Sequence, residues 1–250
     1  MIVFPNAKIN IGLNIISKRE DGYHNIESVF YPVELSDILE VLPSNKLSFA
    51  SSGINIPGDV ESNLCLKAYQ LIKSDYNIPP VQIHLHKIIP IGAGLGGGSS
   101  DATYTLKALN DIFDLNISDT QLEKYASKLG SDCPFFVKNK PVFATGTGIE
   151  FEPLELDLTE YTIKLEYPEI HIGTKEAYSG VIPTQPKHSI KELIHQPISN
   201  WKDFIKNDFE ASIFPNHPKI EKLKKSFYNN GAVYSSMTGS GSAVYGIFKN

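Results

Sequence analysis

Between residues 89 and 101 the chain reads IPIGAGLGGGSSD, which puts Gly92, Gly94, Gly96, Gly97 and Gly98 in one short run ahead of Ser99, Ser100 and Asp101. Glycines carry no Cβ, so their backbone N–H groups can close on an anion, and a helix starting there adds its positive end. The spacing of Ala102, Leu106, Leu109 and Phe113 predicts such a helix. The run is therefore read as a phosphate cradle. Residues 92–97 also satisfy G-x-G-x-x-G, but a dinucleotide fold wants an acidic residue at the end of the next strand, and Asp111 and Asp114 fall at a helix end. Ser99 follows Gly98 where a P-loop needs lysine. His84 and His86 share a strand face without a third ligand at suitable spacing, and Cys133 is read as small packing.

The elements that position this loop are legible in the surrounding pattern. Strands are expected over 8–16, 23–35 and 38–42, with Asp21-Gly22 as a turn between the first two. A helix capped by Ser62-Asn63 is expected to about Tyr76, closed by Pro79-Pro80, and then Val81, Ile83 and Leu85 alternate with Gln82, His84 and His86. A second helix is expected over 118–129 with Gly130 as its cap, then a strand over 141–144. Residues 150–160 are acidic and show neither period, so the domain boundary is placed near Leu154. Beyond it come a strand over 161–167, helical pieces between 174 and 227, with Trp201, Phe204, Ile205 and Phe209 as core, and two short strands around Gly239-Ser240-Gly241. Strands with few crossover helices favour α+β over a doubly wound sheet.

At 250 residues with 41% hydrophobic and 20% charged residues, the chain suits one large or two small domains. Two cysteines are too few for a stapled scaffold. A net charge of −5 offers no basic field for nucleic acid or an acidic membrane surface. The apolar opening MIVFPNAKINIGLNII lacks a basic start and is broken by Pro5, Asn6 and Lys8, so the expectation is a cytoplasmic protein without leader or membrane span.

The glycine run resembles the second motif of the GHMP kinases, P-x-x-x-G-L-G-S-S-A-A. Three further stretches agree: Ala7-Lys8-Ile9-Asn10 followed by Arg19 to His24 (REDGYH), Gly130 to Phe136 (GSDCPFF), and Met237 to Ser242 (MTGSGS). The resemblance spans the chain and is strongest to the branch whose alcohol substrate carries cytidine diphosphate. It implies an α+β fold of two domains, residues 1–154 like the second domain of ribosomal protein S5 and residues 155–250 ferredoxin-like.

The resemblance also implies an ATP- and Mg²⁺-dependent phosphotransferase acting on a cytidine diphosphate-linked methylerythritol in the non-mevalonate isoprenoid route. Asp132 would be the catalytic base and Lys8 its neighbour, stabilising charge on the transferring group. Pro90, Ile91, Gly92, Ala93, Gly94, Leu95, Gly96, Gly97, Gly98, Ser99 and Ser100 would cradle ATP. Asn10, Tyr23, His24, Thr174 and Tyr178 would hold the substrate, Tyr23 and Tyr178 by stacking and Thr174 near the diphosphate. No Mg²⁺ ligand is identified, the partner is a small molecule only, and the state is monomer or weak homodimer. Thr103 stands where the family usually has alanine. Rival readings are a GHMP kinase for another alcohol such as mevalonate or homoserine, a catalytically silent nucleotide-binding module, and, more distantly, a dinucleotide oxidoreductase.

Overall fold

The computed structural model describes residues 1–250. In chain order the elements are β1 (Ile2–Val3), β2 (Asn6–Lys18), β3 (His24–Ser36), β4 (Ile38–Pro43), β5 (Ser48–Gly53), α1 (Leu64–Tyr76), β6 (Val81–Lys87), α2 (Gly97–Ile112), α3 (Asp119–Ser127) and α4 (Phe135–Lys138). They continue with β7 (Val142–Thr145), β8 (Glu150–Pro153), β9 (Tyr161–Glu166), α5 (Thr174–Ser179), α6 (Ile190–Leu193), α7 (Ile198–Phe204), α8 (Phe209–Ile213), α9 (Pro218–Asn229), β10 (Tyr234–Met237) and β11 (Val244–Lys249). This is the expected mixture of mostly antiparallel strands with helices.

The chain forms two compact units, each assembled from three separate segments. The first comprises Met1–Ala7, Glu34–Ile91 and Gly96–Lys140, around a sheet of order β1-β4-β6-β5. β6 buries Val81, Ile83 and Leu85 and turns Gln82, His84 and His86 outward, the alternation of a sheet with one covered face. Asn63 accepts the Cys65 N–H at 2.9 Å to start α1, and Asn77, left-handed at φ 47°, ends it. α1 connects β5 to β6, the one parallel pair here. The apolar sides of α1 and α2 meet the sheet in a core that includes Leu39, Tyr69, Ile72, Ile83, Leu106 and Leu109.

The second unit comprises Lys8–Val33, Gly92–Leu95 and Pro141–Asn250. It holds a sheet of order β2-β3-β7-β8 and a three-stranded sheet of order β10-β11-β9. Its core includes Leu13 and Ile15 of β2 with Phe209, Ile213, Ile220, Phe227 and Val244.

Four local expectations are corrected. Residues 150–153 form the edge strand β8, although EFEP shows no clear period. The strand β5 was not expected at all. α3 ends at Ser127 with Lys128 as its cap, short of Gly130. Phe204 is 60% exposed while Trp201, Ile205 and Phe209 are buried, because α7 ends at Phe204 and the extended Ile205 turns inward in its place.

Candidate active site

β2 presents Lys8 and Asn10 on its buried side, at 3% and 2% exposure. The Lys8 ammonium donates to Asn10 Oδ1 at 2.6 Å and lies 4.5 Å from the centre of the Phe30 ring. Asn10 Nδ2 donates to Ser28 Oγ at 2.9 Å, and the Asn10 N–H donates to Thr238 Oγ1 at 2.9 Å. Thr238 in turn donates to the Gly94 carbonyl at 3.1 Å, and the Lys8 N–H donates to the Leu95 carbonyl at 3.0 Å. Three segments far apart in sequence are thus laced together in the second unit: the start of β2, the middle of the glycine run, and the loop after β10.

Glycine is obligatory at this junction. Gly94 has φ +80°, and a Cβ there would lie 2.1 Å from the Thr238 carbonyl oxygen. Gly239, at φ +55°, has its own Cβ position 3.1 Å from Gly94 Cα. Asn207 fixes the third loop from behind, donating to the Met237 and Gly239 carbonyls at 2.8 Å each.

The turn between β2 and β3 is built by Asp21. Its carboxylate accepts the Tyr23 N–H at 3.0 Å and pairs with Arg19 at 3.0 Å, and these hydrogen bonds hold it below the usual carboxylate range. Tyr23 projects outward at 67% exposure. The His24 ring stacks on Tyr178 at 4.6 Å and 23°, and Tyr178 meets Phe209 edge-on at 4.8 Å. Desolvation, with Lys18 nearby, pushes the His24 pKa down, favouring the neutral ring. Thr174 opens α5 and is exposed, and the His171 ring covers the Gly92 Cα.

In the first unit, Gly96, at φ +70°, turns the chain into α2. Gly98, in its first turn, is exposed, and a Cβ there would meet nothing closer than 4.0 Å. Ser99 is half-buried, whereas the Ser100 hydroxyl is enclosed without a hydrogen-bond partner. Asp132 is half-buried in the turn from Gly130 to Pro134, where its carbonyl accepts the Phe135 N–H at 3.2 Å. That turn is tied to α2 by Thr103, whose hydroxyl donates to the Cys133 carbonyl at 2.8 Å. Thr103, the departure from the family pattern, therefore anchors the residue next to Asp132. Cys133 is fully enclosed, and burial pushes its thiol up to about 11, so it is packing and not a nucleophile. His84 and His86 both hydrogen-bond Ser52 Oγ, and no group of three or more His, Cys, Asp or Glu side chains is placed to hold a metal.

Lys8, Asn10, Tyr23, His24, Thr174, Tyr178 and residues 92–95 fall in the second unit, while Pro90, Ile91, residues 96–100 and Asp132 fall in the first. The third glycine motif includes Thr238, but nothing in its sequence announces the link to Asn10. Lys87 is a further residue outside the expected site, although its parity with Val81, Ile83 and Leu85 signals burial.

Residues 63–140 match the family model for the GHMP kinases N terminal domain, and residues 189–250 that for the GHMP kinases C terminal. A 4-diphosphocytidyl-2-C-methyl-D-erythritol kinase from Parabacteroides distasonis is 53% identical over 249 residues, covering 100% of this chain and 92% of that protein. One from Pelodictyon phaeoclathratiforme is 38% identical over 257 residues, covering 100% and 89%. A solved 4-(cytidine 5'-diphospho)-2C-methyl-D-erythritol kinase superposes with a TM-score of 0.86 at 30% identity, covering 99% of this chain and 90% of that one. The Methanococcus jannaschii mevalonate kinase, at TM-score 0.72 and 14% identity over 100% and 90% of the two chains, shares the fold.

Proposed function

This chain belongs to the GHMP kinases, and from that premise we propose that it uses ATP to phosphorylate the 2-hydroxyl of 4-diphosphocytidyl-2-C-methyl-D-erythritol, a step toward isoprenoid precursors. The geometry that supports this most is the laced junction of Lys8, Asn10, Gly94 and Thr238, which brings a buried cation against two glycine loops. A lysine ammonium beside two glycine loops is placed to meet phosphoryl oxygens, whose charge a kinase must spread.

In the proposed reaction the substrate 2-hydroxyl attacks the γ-phosphorus, its proton passes to the Asp132 carboxylate, and the bond to the bridging oxygen breaks to release ADP. Lys8 stabilises charge on the transferring group. Residues 90–100 form the nucleotide cradle, through the backbone N–H groups between Pro90 and Ser100, with the enclosed Ser100 hydroxyl turned to the core. The cytosine stacks beside His24 and Tyr178, with Tyr23 closing over it, Asn10 orienting Lys8 and Thr174 near the diphosphate. The stacked, neutral His24 suits a pyrimidine edge. Mg²⁺ brought in with the nucleotide would be held mainly by phosphate oxygens and water, and would neutralise charge on the transferring group. The half-buried Ser99 hydroxyl, in the first turn of α2, would be the protein group beside it.

The rest of the reading is a chain whose residues 1–154 carry the loop and base and whose residues 155–250 complete it, working in the cytoplasm as monomer or weak homodimer, without nucleic acid or membrane. No helix is long and apolar enough to cross a membrane. The test is ADP release with ATP, Mg²⁺ and the cytidylated alcohol, run beside mevalonate and homoserine, for the native chain and Asp132→Ala. Turnover confined to the cytidylated alcohol, and reduced by about 10²- to 10⁴-fold in the variant, is expected. Equal turnover of mevalonate or homoserine would sink the substrate, and a fully active variant would sink the base.

A further inference from the structure

Beneath Gly97, at the start of α2, lies a buried cluster of three ionisable side chains. The Lys87 ammonium, at the end of β6, donates to Asp37 Oδ2 at 2.5 Å and to Asp101 Oδ2 at 2.6 Å, and all three residues are at most 3% exposed. Asp37 lies between β3 and β4, and its other oxygen accepts the Ile88 and Ile89 N–H groups at 2.5 and 2.8 Å, just ahead of Pro90. Asp101 belongs to α2, one turn beyond Gly97. Gly97 itself rests on the lysine, for a Cβ there would stand 2.9 Å from Lys87 Nζ and 2.8 Å from Ile89 Cγ2. Buried ion clusters add little net stability, because desolvation consumes much of the attraction. What this one does supply is geometry: the strand-side stem of the run is pinned through Asp37 and the helix-side stem through Asp101, with Lys87 joining them.

We propose that Lys87, Asp37 and Asp101 form a clasp that fixes the two stems of the glycine run so that its N–H groups meet the phosphates of ATP, making Lys87 and Asp101 positioning residues. This rests on the run being the ATP cradle. Asp101 Oδ1 has no hydrogen-bond partner, so its carboxyl is oriented through its other oxygen, by Lys87 and the adjoining Asp37 carboxyl. The charged or titratable groups facing it are Lys87 from β6, Asp37 from the β3–β4 junction and the Cys65 thiol from α1.

The test is steady-state kinetics of the full chain, with folding checked by circular dichroism, for Asp101→Ala, Asp101→Asn and Gly98→Leu. Asp101→Ala is expected to raise KM for ATP about tenfold, with KM for the acceptor alcohol moving less than about twofold, since small misplacements of binding groups are costly. Asn keeps an oxygen for Lys87, so Asp101→Asn should rescue most of that loss, to about a threefold rise. If the alanine variant does not fold, the Asn variant carries the same reading. An unchanged KM for ATP, or a parallel rise in both KM values, overturns the clasp. Gly98→Leu extends into open space at the start of α2 and should raise KM for ATP without unfolding the chain. If it does so while the Asp101 variants do not, the clasp alone fails. If it does not, the cradle reading fails and takes the clasp with it.

Discussion

Thr238 is fully buried and serves two backbone groups at once, accepting from the Asn10 N–H and donating to the Gly94 carbonyl. Thr238→Val keeps the shape and strands both groups, so a loss of about 1–3 kcal/mol is expected in urea unfolding, with Thr238→Ser close to native. Asp101 gives a pH-dependent counterpart. Desolvation, against the pull of Lys87 and with the push of Asp37, raises its carboxyl from 3.8 to about 7. Between those values the folded state holds a proton that the unfolded state has released, so this contribution to stability is full below about pH 4 and is lost as pH rises through 7. Asp101→Asn cannot titrate. Its stability relative to the native chain should grow from pH 5 to 7 and level off above, which urea midpoints across that range would check. Lys87 could be flagged from its register, but Asp37 could not: the pair is 50 residues apart, and nothing local announces it. The glycine run was legible because its chemistry is carried by consecutive residues.

Elements with their own period were read well, and those stabilised by neighbours were not. β4, α1 and β6 announce themselves by alternation or helical spacing. β5, SFASSG, has no apolar rhythm and exists because the edge of β6 supplies a ladder. β8 is likewise an edge strand against β7, where Pro153 at its end is tolerated, and its Phe151 packs on Phe30 at 5.6 Å. The start of α2 shows how element and site constrain each other. Gly97→Ala should improve a helix by propensity, yet its methyl would press on an ammonium pinned by two carboxylates. A net loss of about 1–3 kcal/mol in thermal unfolding, with a raised KM for ATP, is expected from such overpacking.

Across the whole molecule, sequence neighbours and packing neighbours part company. Residues 8–33 belong to the unit completed by residues 141–250, and Leu13 and Ile15 share a core with Phe209, Ile213 and Val244. A fragment ending at residue 154 therefore leaves β2 with an uncovered apolar face, and it is expected to show no cooperative unfolding transition by circular dichroism. Composition gave no hint of this, since period and charge report local burial and not which distant segment supplies the cover. The two cysteines acquire a use from the same packing. Cys133 lies in the Asp132 turn and Cys65 in the first turn of α1, both buried in the core of the first unit and both with pKa values raised by burial. Neither reacts with a thiol reagent until its surroundings open. They are native reporters at two places in one core, so alkylation timed at each thiol would separate opening of the Asp132 turn from opening at the start of α1, with no label introduced.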